Sequence, residues 1–408
     1  MMKSWFKNIG PATLVTAAFI GPGTVTLCSI AGVNFGYNLL WAMLFSIIAT
    51  IILQEMSARI GIVSQKGLAE IIRSEIDNPF LKIFSSVLII SAIVIGNAAY
   101  EAGNISGGVL GLSSIVPDTS VNLGNYSLNY LSIIIGVIAF ILLYIGNYKV
   151  LERSLIVLVI LMSLSFLITA IITKPDYLAI IKGIFIPKFP QDSLLTIIGL
   201  IGTTIVPYNL FLHASLVKEK WKNIEDLQFA RKDTFVAVLI GGIVSMAIII
   251  SAAASNLTSI NNAIDLAEGL VPLYGNFAKY FLAIGLFAAG ITSAITAPLA
   301  AAYVTKGILG WKGGLKSIKF KAVWMLILLL GVLFSSLNMK PIEIIKFAQI
   351  ANGMLLPIIT GFLLWIMNKR DILGKYSNNM SQNILGFIIL GVTIFLGIKS
   401  IWKVFLSL

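Results

Sequence analysis

Apolar residues in this chain run in blocks of about 20, bounded by charged or Gly/Pro/Asn-rich stretches, which is the length a helix needs to cross a bilayer. Lipid offers the backbone no hydrogen-bond partners, so such blocks fold as helices that satisfy their own amides and carbonyls. Composition agrees: the 408 residues are 58% hydrophobic and 11% charged, whereas a soluble domain carries about 25% charge. A water-soluble globule is excluded, and the chain reads as an all-α polytopic membrane protein.

The blocks give about eleven spans, near residues 10–33, 38–62, 80–112, 129–147, 150–173, 193–217, 233–255, 276–305, 320–338, 342–367 and 384–402. The start, Met1 to Lys7, places two lysines before an apolar run that continues past Leu27 without an Ala-x-Ala exit. A retained first span, rather than a signal peptide, is the expectation. A cytoplasmic N-terminus puts Lys66, Arg73, Lys149, Arg153, Lys218, Lys220, Lys222, Arg231, Lys232, Lys306, Lys312, Lys316, Lys319, Lys321, Lys369, Arg370 and Lys375 inside. Only Lys174, Lys182, Lys188 and Lys340 fall in the opposite loops. That asymmetry obeys the positive-inside rule and accounts for the net charge of +12 without a nucleic-acid partner. An odd number of spans leaves the C-terminus outside, and the plasma membrane is the expected location. The longest hydrophilic connections, 63–79, 174–192 and 218–232, read as ordinary loops. They leave no room for a catalytic domain, so the chain is expected to be a transporter, not an enzyme, with no cofactor.

Two spans carry helix breakers at their centres: Gly21-Pro22-Gly23-Thr24 in the first and Val206-Pro207-Tyr208-Asn209 in the sixth. Proline removes a donor and clashes with the preceding turn, and glycine permits an unwound backbone. Irregular backbone at membrane depth persists only where it lines a cavity or is buried in protein. Spans one and six are equivalent if the chain is one domain, residues 1–408, made of two five-span repeats, about 8–173 and 193–367, plus an extra helix at about 384–402. Matched interruptions of that kind point to a substrate site between inverted repeats.

The residues around these breaks carry a resemblance. Gly10-Pro11-Ala12, Gly21-Pro22-Gly23-Thr24 and Ala31 to Trp41 are similar to the first span of NRAMP (natural resistance-associated macrophage protein) divalent-metal transporters. The similarity continues through Leu53 to Gly61, Gln65 to Glu70, Lys174-Pro175-Asp176, Val206 to Val217 and Lys369 to Gly374. It implies eleven helices in the LeuT-type fold, with 5+5 inverted repeats, alternating access and proton-coupled import of manganese or iron. Matched residue by residue, the family's metal-binding aspartate falls on Gly21, its asparagine on Thr24, its sixth-span alanine on Thr203, its methionine on Val206 and its histidine on Tyr208. Every side-chain ligand is replaced. The third-span glutamate of the family's proton path falls on Glu101, its companion acid on Ala98, the second sixth-span histidine on His213 and the tenth-span glutamine on Gln349.

The substrate-binding candidates are therefore Gly21, Gly23, Thr24, Thr203, Val206, Tyr208, Asn209, Gln349 and Asn352. Thr24, Thr203 and Gln349 are the metal candidates, and Glu101 and His213 those for proton coupling. A dehydrated divalent ion needs anionic or strongly dipolar oxygens, and transition-metal preference is normally reinforced by sulfur or imidazole. The neutral set here suits a largely hydrated or a monovalent ion, so magnesium fits better than manganese. Overall similarity favours a divalent cation carrier. The missing carboxylate at Gly21 favours a carrier of a small organic solute, such as an amino acid or other carboxylate, held by free amides of a half-helix. A receptor that no longer transports is the third reading. Glu55 lies one turn before Arg59, which suits a structural pair. His213 suits either a packed or a proton-responsive role, and the lone Cys28 a packed one.

Overall fold

The computed structural model describes residues 20–116, 118–123, 126–146, 149–337 and 339–406. Its helices, in chain order, are α1 (Pro22–Phe35), α2 (Leu40–Ser64), α3 (Leu68–Glu75), α4 (Pro79–Ser113), α5 (Tyr130–Ile145), α6 (Lys149–Ile172) and α7 (Tyr177–Phe185). They continue as α8 (Leu194–Thr204), α9 (Pro207–Lys220), α10 (Leu227–Ala253), α11 (Ala278–Leu309), α12 (Ile318–Ser336), α13 (Pro341–Met367) and α14 (Met380–Leu406). Among the described residues, nine helical stretches are long and apolar enough to cross a membrane, counting α8 with α9 as one, and α5 is a shorter apolar helix. With the half-helix α1 these follow the expected spans closely. The first part of the first expected span, residues 10–19, lies outside the described residues.

Helix α4 is the hub, packing against α11, α12 and α13. Asn78 caps it by accepting from the amides of Phe80 and Leu81, with Pro79 supplying a first residue that needs no partner. One face of α4 carries the buried residues Gly96, Asn97, Tyr100, Glu101 and Asn104, while Phe80, Ile83 and Ile95 on other faces are exposed. A second group forms around α2, which packs against α9 and α10, with α10 in turn packed on α1.

Two expectations are corrected. The connection 63–79 contains α3, an amphipathic helix burying Leu68, Ile71 and Ile72 beside the charges of Glu70 and Arg73. The connection 174–192 contains α7, capped by Asp176, with Gly183 pressed against the Tyr37 carbonyl. Both are shorter than a span, so a search for long apolar blocks passes over them. The all-α class holds, and a short antiparallel hairpin pairs Ser120–Leu123 with Tyr126–Asn129 in one connection, with Ser120 opposite Asn129.

Candidate substrate site at the helix breaks

The second interruption is a break between two described helices, and at the first the described chain shows the start of the helix that follows it. At Gly21 the chain is extended (φ −86°, ψ 177°) and α1 begins only at Pro22. Helix α8 ends at Thr204; Ile205 (φ −97°, ψ 77°) and Val206 (φ −79°, ψ 120°) are non-helical, and α9 restarts at Pro207. The residue before a proline is pushed out of the helical region, which fixes the stop at Val206. Because Pro207 has no N–H, the Thr203 carbonyl loses the partner that a continuous helix would give it.

The two breaks meet through their side chains. The Thr24 and Thr203 hydroxyls, one on the first turn of α1 and the other on the last turn of α8, are 2.9 Å apart and fully enclosed. Gln349 of α13 touches both half-helices. A Cβ at Gly23 would collide with the Gln349 amide, and a Cβ at Gly202 would collide with the Gln349 carbonyl and the Gly353 amide. Glycine at these two positions is what lets α13 lie against both broken ends.

Tyr208, on the first turn of α9, is wholly buried and meets the Tyr100 ring edge-on at 5.4 Å. Tyr100 precedes Glu101, whose carboxyl is completely enclosed. One oxygen accepts from the Asn104 amide at 3.4 Å, the other has no partner among the described residues, and the stem lies on Gly331 of α12. The Tyr208 hydroxyl, both polar atoms of the Asn209 amide, Gln349 Oε1 and Asn352 Nδ2 likewise lack partners among the described residues. Buried polar atoms are nearly always satisfied by protein, water or ligand, so these five side chains, Glu101 included, are candidates to line a site beside the junction.

Of the sequence candidates, Gly23, Thr24, Thr203 and Gln349 come together at the junction, and Gly21 supplies its extended backbone. Tyr208 of α9 meets Tyr100, the residue before Glu101 on α4, and Asn352 lies one turn beyond Gln349. Val206 is part of the apolar core and offers only backbone. His213 turns to α10 instead, its Nε2 3.2 Å from the Thr234 hydroxyl. Sequence reasoning passed over Tyr100 and Asn97 as site residues; Asn97 donates to the Ala297 carbonyl at 2.9 Å. Their signal was the recurrence of polar residues at 97, 100, 101 and 104, one face of an otherwise apolar helix. Among the described residues no three His, Cys, Asp or Glu side chains group to hold a metal. The junction instead combines neutral oxygens with the α8 C-terminus, which carries partial negative charge.

The other polar cluster is charged. Arg59, 2% exposed, donates to Glu55 (3.0 Å), Asn378 (2.8 Å), Gln382 (3.1 Å) and the Tyr376 carbonyl (3.1 Å), while Arg231 holds the second Glu55 oxygen at 2.8 Å. The expected one-turn Glu55–Arg59 pair is thus present and ties α2 to α10 and to the start of α14.

A family model described as natural resistance-associated macrophage protein-like matches residues 12–403. The chain is 26% identical over 403 residues to a Caldanaerobacter subterraneus protein named divalent metal cation transporter MntH, covering 95% of this chain and 91% of that protein. It is 26% identical over 422 residues to a Dictyostelium discoideum protein named metal transporter nramp1 homolog, covering 97% and 75% respectively. Among solved structures it resembles the Eremococcus coleocola manganese transporter in complex with an aromatic bis-isothiourea compound, with a TM-score of 0.76 at 19% identity over 98% of this chain and 87% of that one. It also resembles Mhp1, a nucleobase-cation-symport-1 family transporter, with a TM-score of 0.59 at 15% identity over 97% and 92%. The structural likenesses establish the LeuT-type fold. With the family model covering nearly the whole chain, this protein belongs to the Nramp family.

Proposed function

We propose that this protein is a secondary transporter that moves a divalent cation across the cell membrane by alternating access, and that the ion crosses with part of its water shell. The observation that carries this reading is the Thr24–Thr203 hydroxyl contact at the meeting of the broken helices. It stands where the family resemblance places an amide ligand, at Thr24, and a backbone carbonyl, at Thr203, with the anionic ligand's place at Gly21 next to it. Hydroxyls, the Gln349 amide and freed carbonyls are hard neutral donors, suited to magnesium, which keeps several waters, rather than to manganese or iron, which gain from nitrogen and sulfur. The unpartnered polar atoms of Tyr208, Asn209, Gln349 and Asn352 are suited to contact that retained water. Glu101 is the proton-coupling group of this reading, as the one acidic side chain of the polar face on α4, and His213 is secondary because it faces Thr234. The same reading treats the chain as two five-span repeats and a closing helix, in the plasma membrane, with the N-terminus inside and the C-terminus outside.

One observation favours a second reading. Helices α1 and α9 both begin at the junction with no side chain capping them, and uncapped N-termini attract anions, so a small carboxylate is the alternative cargo. Uptake into proteoliposomes decides between them. Saturable magnesium uptake exceeding manganese uptake is expected. Uptake of an amino acid or other carboxylate with no cation flux would replace the first reading by the second, and no flux of any solute would identify a non-transporting member.

A further inference from the structure

We infer that the connection between α11 and α12 is a docking site for anionic phospholipids, with Lys312, Lys316, Lys319, Lys321 and Arg73 meeting the headgroup and Leu315 and Ile318 the acyl chains. The site is independent of the cargo and of the helix breaks.

Membrane insertion asks only for more cations on one side of the bilayer than on the other, and is satisfied even when each cation has an acidic neighbour. The connection 218–232 shows that paired arrangement. Its Lys218, Lys220, Lys222, Arg231 and Lys232 alternate with Glu219, Glu225 and Asp226, while Glu70 holds Lys218 and Glu55 holds Arg231, each at 2.8 Å. The α11–α12 connection is built the other way. No aspartate or glutamate occurs between Glu268 and Glu343, and Lys312, Lys316, Lys319, Lys321 and Arg73 form no salt bridge among the described residues. Lys306 is not part of the cluster, because its charge acts on Glu70.

The backbone gathers these charges. Helix α11 stops at Gly310, whose φ of +63° turns the chain, and the Arg73 guanidinium of α3 fills the space where a side chain at 310 would stand. The Trp311 amide bonds back to the Lys306 carbonyl at 3.1 Å, and Ser317 caps α12 by accepting from the Phe320 amide. Between those fixed ends Lys312 and Lys316 are exposed. The Lys319 ammonium lies 5.8 Å from the centre of the Trp311 ring, and that of Lys321 lies 4.4 Å from the centre of the Tyr144 ring. Exposed apolar side chains decide which anion fits. Leu315 is 48% and Ile318 76% exposed, and Ile318 opens α12, a helix long and apolar enough to cross the bilayer. A free phosphate or a soluble acidic partner gives these two side chains nothing, whereas a phospholipid brings phosphate to the lysines and acyl chain to the leucine and isoleucine. Tryptophan and tyrosine settle at headgroup depth, and each juxtamembrane lysine raises affinity for an anionic surface about fivefold.

The test places the full-length protein in phosphatidylcholine nanodiscs containing brominated phosphatidylglycerol or brominated phosphatidylcholine. It reads bromine quenching of Trp311 fluorescence, taken in each background as the difference made by Trp311→Phe. Phosphatidylglycerol is expected to associate at Trp311 at least tenfold more strongly than phosphatidylcholine, with the preference shrinking as salt rises. The triple variant Lys312→Gln, Lys316→Gln, Lys319→Gln should cut that preference at least fivefold, while Lys→Arg at the same three positions keeps it. All three side chains are exposed, so an unchanged melting temperature in pure phosphatidylcholine shows that both variants are folded. Equal quenching by the two lipids would overturn the inference, as would full preference in the glutamine variant. Release of phosphatidylglycerol by inorganic phosphate at constant ionic strength would overturn it as well, since the site would then take a free anion rather than a lipid.

Discussion

The junction of the half-helices and the Glu55–Arg59 cluster are both enclosed and polar, yet they are built on opposite terms. Arg59 is a full charge inside a membrane-spanning helix, and it is tolerated because four oxygens surround it and Glu55 is shared with Arg231. Apart from the Arg59 Nε, that cluster completes itself. The described side chains of the junction are neutral, with the Glu101 carboxyl beside them, and the Tyr208 hydroxyl, both polar atoms of the Asn209 amide, Gln349 Oε1 and Asn352 Nδ2 have no partner among the described residues. Buried charge retained for structure is paired, whereas polar groups retained for cargo are left incomplete until the cargo arrives. Burial and polarity alone would not separate the two regions; the accounting of partners does.

Breaking the self-contained cluster should have the largest effect, and on stability rather than selectivity. Glu55→Gln removes the anion that Arg59 and Arg231 share, and should cost about 3 kcal/mol, the low end for breaking a buried pair because Glu55 is 19% exposed. Thermal unfolding in detergent reads this loss, while the ratio of magnesium to manganese uptake by the remaining folded protein should not move. A change in that ratio would erase the distinction drawn here.

Two glycines sharpen the comparison from the other side. At Gly202 a methyl would strike backbone atoms of Gln349 and Gly353, which cannot yield without moving α13, so Gly202→Ala should destabilise by about 1–3 kcal/mol. At Gly23 the methyl meets only the end of the Gln349 side chain. Gly23→Ala should therefore melt within a few degrees of the wild type but raise the KM for cation uptake several-fold, by displacing the amide from the junction. Equal behaviour of the two variants would mean that Gln349 has no part in holding cargo.

The smallest effect is expected at the surface. Burial raises the Glu70 carboxyl pKa, but the Lys218 hydrogen bonds at 2.8 and 3.1 Å, the Gly67 amide and the charges of Lys218 and Lys306 outweigh it and hold the group below its ordinary value. A depressed folded-state pKa gives stability that is present above the unfolded carboxylate value of about 4.3 and is lost as pH falls through the lower, folded one. Between pH 7 and pH 4, Glu70→Gln should thus show a slightly shallower fall in melting temperature than the wild type. The difference is small because the side chain is 41% exposed and solvent screens the pair.

Much of this organisation was legible in the sequence because bilayer thickness imposes a block length and proline imposes a stop. The spans and the positions of the helix breakers follow from those two constraints, and Thr24 and Thr203 could be named because the family resemblance matches them to its asparagine and sixth-span alanine. What stayed hidden depends on which way a helix faces. Nothing local distinguishes His213, which turns to Thr234 on α10, from Tyr208, which turns to Tyr100 on α4. The short helices α3 and α7 escaped for a different reason: their amphipathic stripes are briefer than a span, and it is tertiary contact with α9, α11 and α2 that stabilises them.

The central claim is that cargo is held by neutral oxygens at the junction of the broken helices. Its most direct measurement is manganese and magnesium uptake by the wild type and by the triple variant Gly21→Asp, Thr24→Asn, Val206→Met, which restores an anion, an amide and a thioether to that place. The account predicts magnesium in preference to manganese for the wild type and a gain of manganese uptake of tenfold or more for the variant. Manganese uptake by the wild type as high as by the variant would contradict it.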